Sequence, residues 1–350
     1  MTSPILITGA PGWLGTRLVQ SLLQQVPELT VLSQTAPASR IRCLLMPGID
    51  PSPLPVSEQI ELVTGDLRSH DQVEAFCRNA AGGTLYHCAG LVHPARYVRD
   101  LYDVNVKGTR HLLQAAEQAG VRRAIVISSN SPVGTNHGRD HRFDEHSPYD
   151  PYMCYGHSKM LMERVTHEVQ ARGKLETVIL RPAWFYGPGQ PERQTTFFRM
   201  IRKGLVPVVG AGENLRSMSY VDNVCQAMLL CSINPAANGQ TYWVADQQPY
   251  SMNQVVDTVE ELMENEFGLP VAHRRLRLPS LASEMARLLD QWIQRLGFYH
   301  QKLHVLSEMN KTIACSIDKA RQELGYRPSI ELEEGMRRSL AWCMANGIEL

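Results

Sequence analysis

The sequence predicts an α/β fold built on a doubly wound parallel sheet, and three observations carry that prediction. Short apolar runs alternate with amphipathic stretches through the first half of the chain. The runs are nearly continuous in apolar residues, as strands covered on both faces are. The first run ends in a glycine turn, "ITGAPGWLGTRL", that leads straight into a helical pattern.

The strands read, in order, "PILITG", "RIRCLLMPG", "IELVTGDL", "TLYHCAG", "RRAIVISS" and "TVILRP", with helical patterns such as "WLGTRLVQSLLQQ" and "VNVKGTRHLLQAAEQAG" between them. Their crossovers should be right-handed. Glu28 to Ser39 is read as an insertion, because "RIRCLLMPG" has the better strand pattern and the usual spacing before "IELVTGDL"; "ELTVLSQ" is the competing choice. Asp50 to Pro55 reads as a surface connection. Residues 1–180 are therefore expected to form a dinucleotide-binding domain. Residues 181–350 should mainly shape a substrate, with 220–245 ("YVDNVCQAMLL" and "QTYWVA") returning to the first domain, followed by two further helical regions. The alternation in "HRRLRL" reads as a half-exposed strand, and "QPERQTTFFRMIRKG" as a loop and helix closing over substrate with Gln190, Arg193 and Gln194 as polar candidates.

A chain of 350 residues can bury a sizeable core. Lys+Arg and Asp+Glu balance at 35 each, which removes the electrostatic argument for nucleic acid or anionic membrane as the main partner and favours a small-molecule ligand. The eight cysteines are scattered without a CxxC pair, which suggests reduced thiols and a cytoplasmic setting. The first residues lack a basic segment followed by a long apolar one, and no stretch reaches the roughly 18 apolar residues of a membrane span, so a soluble protein is expected. His137, His141 and His146 lie among acids in "NHGRDHRFDEH", but their spacing fits no tight metal motif. That stretch reads instead as a mobile polar loop over a site, and no metal is expected.

Gly9, Gly12 and Gly15 sit where a strand meets a helix. Glycine permits the tight turn and the close backbone approach, while the helix N-terminus offers free N–H groups to a pyrophosphate. Asp66 in "GDL" is placed to reach an adenine amino group, and "HCAG" to run along a dinucleotide. The end of the second strand carries Met46 and Pro47, with neither the acid expected for ribose hydroxyls nor an Arg for a 2′-phosphate. Arg40 and Arg42 lie close by, but alternation makes them equally ordinary outward-facing residues. NAD is favoured because nothing visibly pairs with a 2′-phosphate, and NADP stays open.

"VISSNSPVG" brings Ser128, Ser129 and Ser131 to the C-terminal edge of the sheet, and "YGHSK" places Tyr155 and Lys159 four apart on one helical face. A phenol with a pKa near ~10 is a poor base until a nearby ammonium favours the phenolate. A serine can hold a substrate oxygen while the tyrosine exchanges its proton and a cofactor exchanges hydride.

Together "TGAPGWLG", "GDL", "HCAG", "VNVKGT", "SSNSPVG", "YGHSK", "RPAWFYGPG", "YVDNV" and "SIDKARQELGYRPSIELEEGM" make the chain resemble, over nearly its whole length, an extended short-chain dehydrogenase/reductase of the NAD-dependent epimerase/dehydratase superfamily. The resemblance implies a Rossmann-type sheet with a smaller, interleaved C-terminal region. It implies Ser129, Tyr155 and Lys159 as the catalytic set, supported by Asn105, with Ser128 or Ser131 as the fallback serine. Around the cofactor it implies Gly9, Gly12, Trp13, Leu14 and Gly15, then Met46, Asp66 and Leu67, then Cys88, Ala89 and Gly90, with Ser128, Pro182, Ala183 and Trp184 along the nicotinamide. A homodimer through the helices around Asn105 to Gln118 and Tyr155 to Arg172 is also implied.

Within that superfamily the 3-beta-hydroxysteroid dehydrogenase-like branch is favoured, by the C-terminal "HVLSEMNKTIACSIDKARQELGYRP" and by an apolar helix. That helix carries Leu281, Met285, Leu288, Leu289, Trp292, Ile293 and Leu296 on one stripe, a pattern that more often faces a core than a ligand. This branch implies an apolar alcohol or ketone near Trp184, Phe185, Phe197 and Phe198. A nucleotide-sugar epimerase or dehydratase is the alternative, with Arg216 on a diphosphate; Arg193 is a substrate-side candidate whichever branch holds. A non-catalytic NAD(P) sensor is the third reading.

Overall fold

The computed structural model of the chain describes residues 3–26, 29 and 40–350. The expected insertion Glu28 to Ser39, with the competing strand "ELTVLSQ", lies outside the described residues except for Leu29.

Seven parallel strands form the central sheet: β1 Ile5–Thr8, β2 Ile41–Leu45, β3 Ile60–Thr64, β4 Thr84–His87, β5 Arg123–Ile127, β6 Glu176–Pro182 and a late strand, β11 Thr241–Val244. Their order is β3-β2-β1-β4-β5-β6-β11. The chain reverses direction across the sheet between β1 and β4, and a ligand crevice forms at such a switch point, beyond the carboxyl ends of the strands. Strand alternation explains why the sheet is buried twice over. Leu6, Leu85, Ala124 and Val126 point into one core with helices α2 His70–Cys77, α3 Thr109–Gln118 and α4 Met153–Ala171. Ile7, Tyr86, Ile125 and Ile127 point into the other, with α1 Trp13–Leu22 and α6 Val221–Ile233. The expected return of the late segment is observed: β11 pairs with β6, and Asp222 at the start of α6 pairs with Arg17 of α1, Nη2 to Oδ2 at 2.8 Å.

The remaining chain builds a third core. β7 Trp184–Tyr186 pairs with β10 Met218–Tyr220, and α5 Glu192–Arg202, α7 Met252–Asn265 and α11 Leu332–Ala345 close around them. A short strand β8 Pro207–Val209 pairs with β13 Leu276–Leu278, so only the last part of "HRRLRL" is a strand. β9 Leu215–Arg216 pairs with β12 Tyr250–Ser251. Five helices follow β11 where two helical regions were expected: α7, α8 Ser280–Arg295, α9 Gln301–Glu308, α10 Asp318–Leu324 and α11.

Three expectations are corrected. The stripe on α8 does not face a core: Leu281, Met285, Leu288, Leu289, Trp292 and Leu296 are exposed, while Ser283, Ala286, Asp290 and Gln294 are buried. The reason is that Asp290 and Gln294 find polar partners inside, described below. The segment "NHGRDHRFDEH" is anchored: Asn136 bonds Ala314 in both directions, Phe143 bridges Cys315, and the Glu145 carboxylate accepts from Trp243 N at 3.0 Å. Lastly, α5 is a fixed helix whose Phe198 and Ile201 fill the third core, so Phe198 is packing and not lining.

Candidate active site

At the first turn Gly9 has φ +83°, and a Cβ there would stand 2.5 Å from Ala89 N. A Cβ on Gly15 would meet Gly9 O at 2.5 Å. No other residue fits this turn, because β4 and α1 both press on it. Gly12 caps α1 without a side-chain bond, and the first turn of α1 carries no acid, so its amide groups face the crevice with the positive end of the helix dipole. This is a cradle for a pyrophosphate, and the residues fit a dinucleotide. Trp13 donates its indole N–H to Pro188 O at 2.7 Å and tilts against Phe185. Met46 stands exposed just after β2. Asp66 is held by Arg68, Nη2 to Oδ2 at 2.6 Å, and the bond to Arg68 lowers its pKa. Arg42 is committed to Phe76 O, Arg78 O and Glu61.

Behind the turn, Thr8 Oγ1 lies 2.7 Å from His87 Nδ1, and His87 Nε2 lies 2.8 Å from Thr109 Oγ1. Burial, with Lys159 adding to it, drives the His87 pKa down to about 3, so the imidazole is neutral. Asn105 sits in a π-helical turn, Asp103–Gly108, that the sequence did not reveal. That turn lets its amide bond Leu91 N at 2.8 Å, Leu91 O at 2.9 Å and Ser158 Oγ at 3.0 Å. Asn105 thus ties the strand-end segment after "HCAG" to α4. Gly90 passes close to Lys159, where a Cβ would lie 3.1 Å from Nζ.

Tyr155, Lys159 and Glu163 stand at i, i+4 and i+8 on α4, one face of a helix. Lys159 is buried and donates to Ile127 O at 2.9 Å, at the end of β5. Burial lowers its pKa to about 8, against the favourable field of Glu163. Tyr155 is pushed up to about 12 by burial, opposed by its hydrogen bond with Ser129. Of the three candidate serines, Ser129 is the one beside the phenol. The Ser128 hydroxyl is engaged elsewhere, donating to Glu163 Oε1 at 2.5 Å. Ser131 serves through its backbone, its N donating to Ser129 Oγ at 3.2 Å.

Arg193 and Arg216 are the two candidate cations on this side of the crevice. Arg193 of α5 touches His93 through Nη1, and its charge is felt at Tyr155. Burial lowers the pKa of both guanidiniums. Arg216 donates to Glu308 O, while its buried Nε has no partner in the protein. Among the described residues neither arginine forms an ion pair, although Glu308 acts on both at longer range. Gln190 and Gln194 do not line the site, because they bond Cys343 Sγ and Phe185 O. Trp184 packs edge-on against Phe197 at 5.7 Å, and Ala183 N is held by Ser219 Oγ at 2.9 Å. Cys88 is a half-buried free thiol that packs against the sheet core.

The sequence reading missed the groups that α8 and α9 bring in. His93 Nδ1 lies 2.5 Å from Tyr299 OH. Asp290 accepts from His304 and from Gln294 Nε2, both at 2.8 Å, and Gln294 Oε1 accepts from Cys154 N at 3.0 Å, one residue before Tyr155. Tyr152 OH meets Ser307 Oγ at 2.8 Å. The only signal was polar residues at helical spacing inside an otherwise apolar helix.

Comparison with known proteins bears on the family and the fold. Residues 5–245 match the family model described as "NAD dependent epimerase/dehydratase family". The chain is 48% identical to an uncharacterized protein of Sinorhizobium fredii over 344 residues, covering 98% of this chain and 96% of that one. It is 27% identical to the 3beta-hydroxysteroid-dehydrogenase/decarboxylase isoform 1 of Arabidopsis thaliana over 352 residues, 96% of this chain and 78% of that one. The solved structure of MoeE5 in complex with UDP-glucuronic acid and NAD superimposes with a TM-score of 0.73 at 25% identity, covering 98% and 99% of the two chains.

Proposed function

The chain belongs to the NAD dependent epimerase/dehydratase family, it is an enzyme with NAD as its cofactor, and we propose that it oxidises a secondary alcohol or reduces the matching ketone on a substrate with an apolar body and an anionic group. The observation that carries this is the arrangement of Ser129, Tyr155 and Lys159 on one volume at the sheet edge, with Arg193 beside it.

NAD, when bound, would accept the hydride on oxidation, and its reduced form would supply it on reduction. The residues of the chain do the rest. Ser129 holds the substrate oxygen. Tyr155 takes the hydroxyl proton on oxidation and returns it on reduction. Burial holds the phenol at about 12 even with the Ser129 bond and the charge of Arg193 drawing it down, so it is a poor base as it stands, and Lys159 on the same helical face is assigned to favour the phenolate. Asn105 keeps the Leu91 segment and α4 in register. The steroid-like branch is favoured by the similarity to the Arabidopsis enzyme, and Trp184, Phe185 and Phe197 supply the apolar wall. Following the family resemblance, α3 and α4 are assigned to a homodimer.

A nucleotide-sugar epimerase or dehydratase is the second reading, favoured by the unpartnered Nε of Arg216. NADH formation with hydroxysteroids and their carboxylates tests the first reading. Tyr155→Phe is expected to lower kcat by about 10²–10⁴ while NAD affinity holds; unchanged turnover would remove Tyr155 from the mechanism. Calorimetric titration with UDP- and dTDP-sugars decides the second: binding that Arg216→Ala abolishes supports it, and no binding by the intact protein ends it.

A further inference from the structure

We propose that the outer face of α8, with the segments that continue it, is a docking surface for an anionic lipid bilayer. Leu281, Met285, Leu288, Leu289, Trp292 and Leu296 fall at i, i+4, i+7, i+8, i+11 and i+15, a single helical face. Leu281 is 66% exposed and Trp292 60%, whereas Asp290 on the opposite side is 0% exposed. The helix is thus folded polar side inward. The apolar surface continues past its end, where Phe298 and Tyr97 are both exposed with their rings 5.8 Å apart.

Charge identifies the occupant. Arg96, Arg99, Arg295 and Lys302 stand exposed in the segments 92–99 and 292–307, while the acids that bound these segments, Asp100 and Glu308, are only partly exposed, in a chain whose charges balance overall. Arg96 lies over the Tyr97 ring at 5.1 Å, and Arg99 shares its charge with Asp103. On α8 itself Asp290 is buried against His304, and Glu284 is bonded by Arg287 and Lys311. The result is a leucine and tryptophan face with a cationic fringe, which is how a helix lies in the headgroup boundary of an anionic leaflet. A second copy of the chain is disfavoured, because a two-fold contact would set this fringe against itself. Among the described residues no helix is long and apolar enough to cross a membrane, so the attachment is to the surface. It is independent of the chemistry proposed above.

Flotation of the full chain with vesicles tests this. Phosphatidylcholine mixed with phosphatidylglycerol should carry the protein, phosphatidylcholine alone should carry much less, and added salt should weaken the binding. Leu289→Glu/Trp292→Glu should cut the bound fraction about tenfold or more, since each side chain contributes at least ~1.5 kcal/mol of burial in lipid, worth about a factor of ten. Retained NAD binding shows that this variant is folded. Failure of the intact protein to float with the anionic vesicles overturns the proposal. So does lipid-free self-association, seen by sedimentation and lost in the variant, without flotation.

Discussion

Glu163→Gln removes the carboxylate that faces Arg181 and leaves the guanidinium inside the protein. Both groups are buried, at 0% and 4% exposure. The carboxylate accepts from Arg181 Nε at 3.0 Å and Nη2 at 2.6 Å, from Ser128 Oγ at 2.5 Å and from Tyr149 OH at 2.8 Å. Arg181 Nη1 has no partner even in the intact protein. Removing one member of a buried pair costs about 3–5 kcal/mol, because the other charge is stranded. With an unfolding entropy of about 2.1 cal/mol/K for each of the 350 residues, that loss lowers Tm by about 4–7 °C. Glu163→Gln/Arg181→Met removes both charges and should lose less than Glu163→Gln alone. Scanning calorimetry of the two variants beside the intact protein reads both numbers. An unchanged Tm for Glu163→Gln, or a double variant that melts lower than the single one, refutes the stranded-charge reasoning.

Two further outcomes are expected from the geometry. Gly9→Ala should abolish NAD binding by calorimetric titration and lower Tm, since its φ of +83° and the 2.5 Å approach to Ala89 N leave no room for a methyl. Asp246 gives a pH effect. Burial raises its pKa to about 7, despite bonds from Tyr186 OH at 2.6 Å and Tyr220 N at 3.2 Å. The folded state therefore holds the proton more tightly than the unfolded one, and this contribution is complete below the ordinary carboxyl value of 3.8 and lost as pH rises through about 7. Asp246→Asn should flatten stability between those limits in urea unfolding, and a slope identical to that of the intact protein would remove Asp246 as its source.

The sheet was legible because each strand is apolar on both faces, so Leu6 and Ile7 announce a buried strand whichever core each one enters. Tyr155 and Lys159 were legible as neighbours because they lie four apart on one helix, whereas the choice of Ser129 over Ser128 and Ser131 came from the family resemblance and not from spacing. Asn105 was legible as a residue, but its π-helical turn was not, since one extra residue in a helix leaves no mark on composition. For α8 the period told which residues share a face and not which way that face points. Its direction follows from Asp290 and Gln294, whose partners His304 and Cys154 come from distant segments. The same distance hid His93, Tyr299 and Glu308, which reach the site only after the chain has folded back.

The bond from Cys154 N to Gln294 Oε1 has a consequence for redesign. Specificity in this architecture invites exchange of the whole hairpin from 280 to 308 between relatives, as a cassette. Because Gln294 fixes the residue next to Tyr155, a transplanted hairpin lacking a matching acceptor would hand over a new cover together with a loosened reactive helix. A functional chimera has to inherit that acceptor along with the cover.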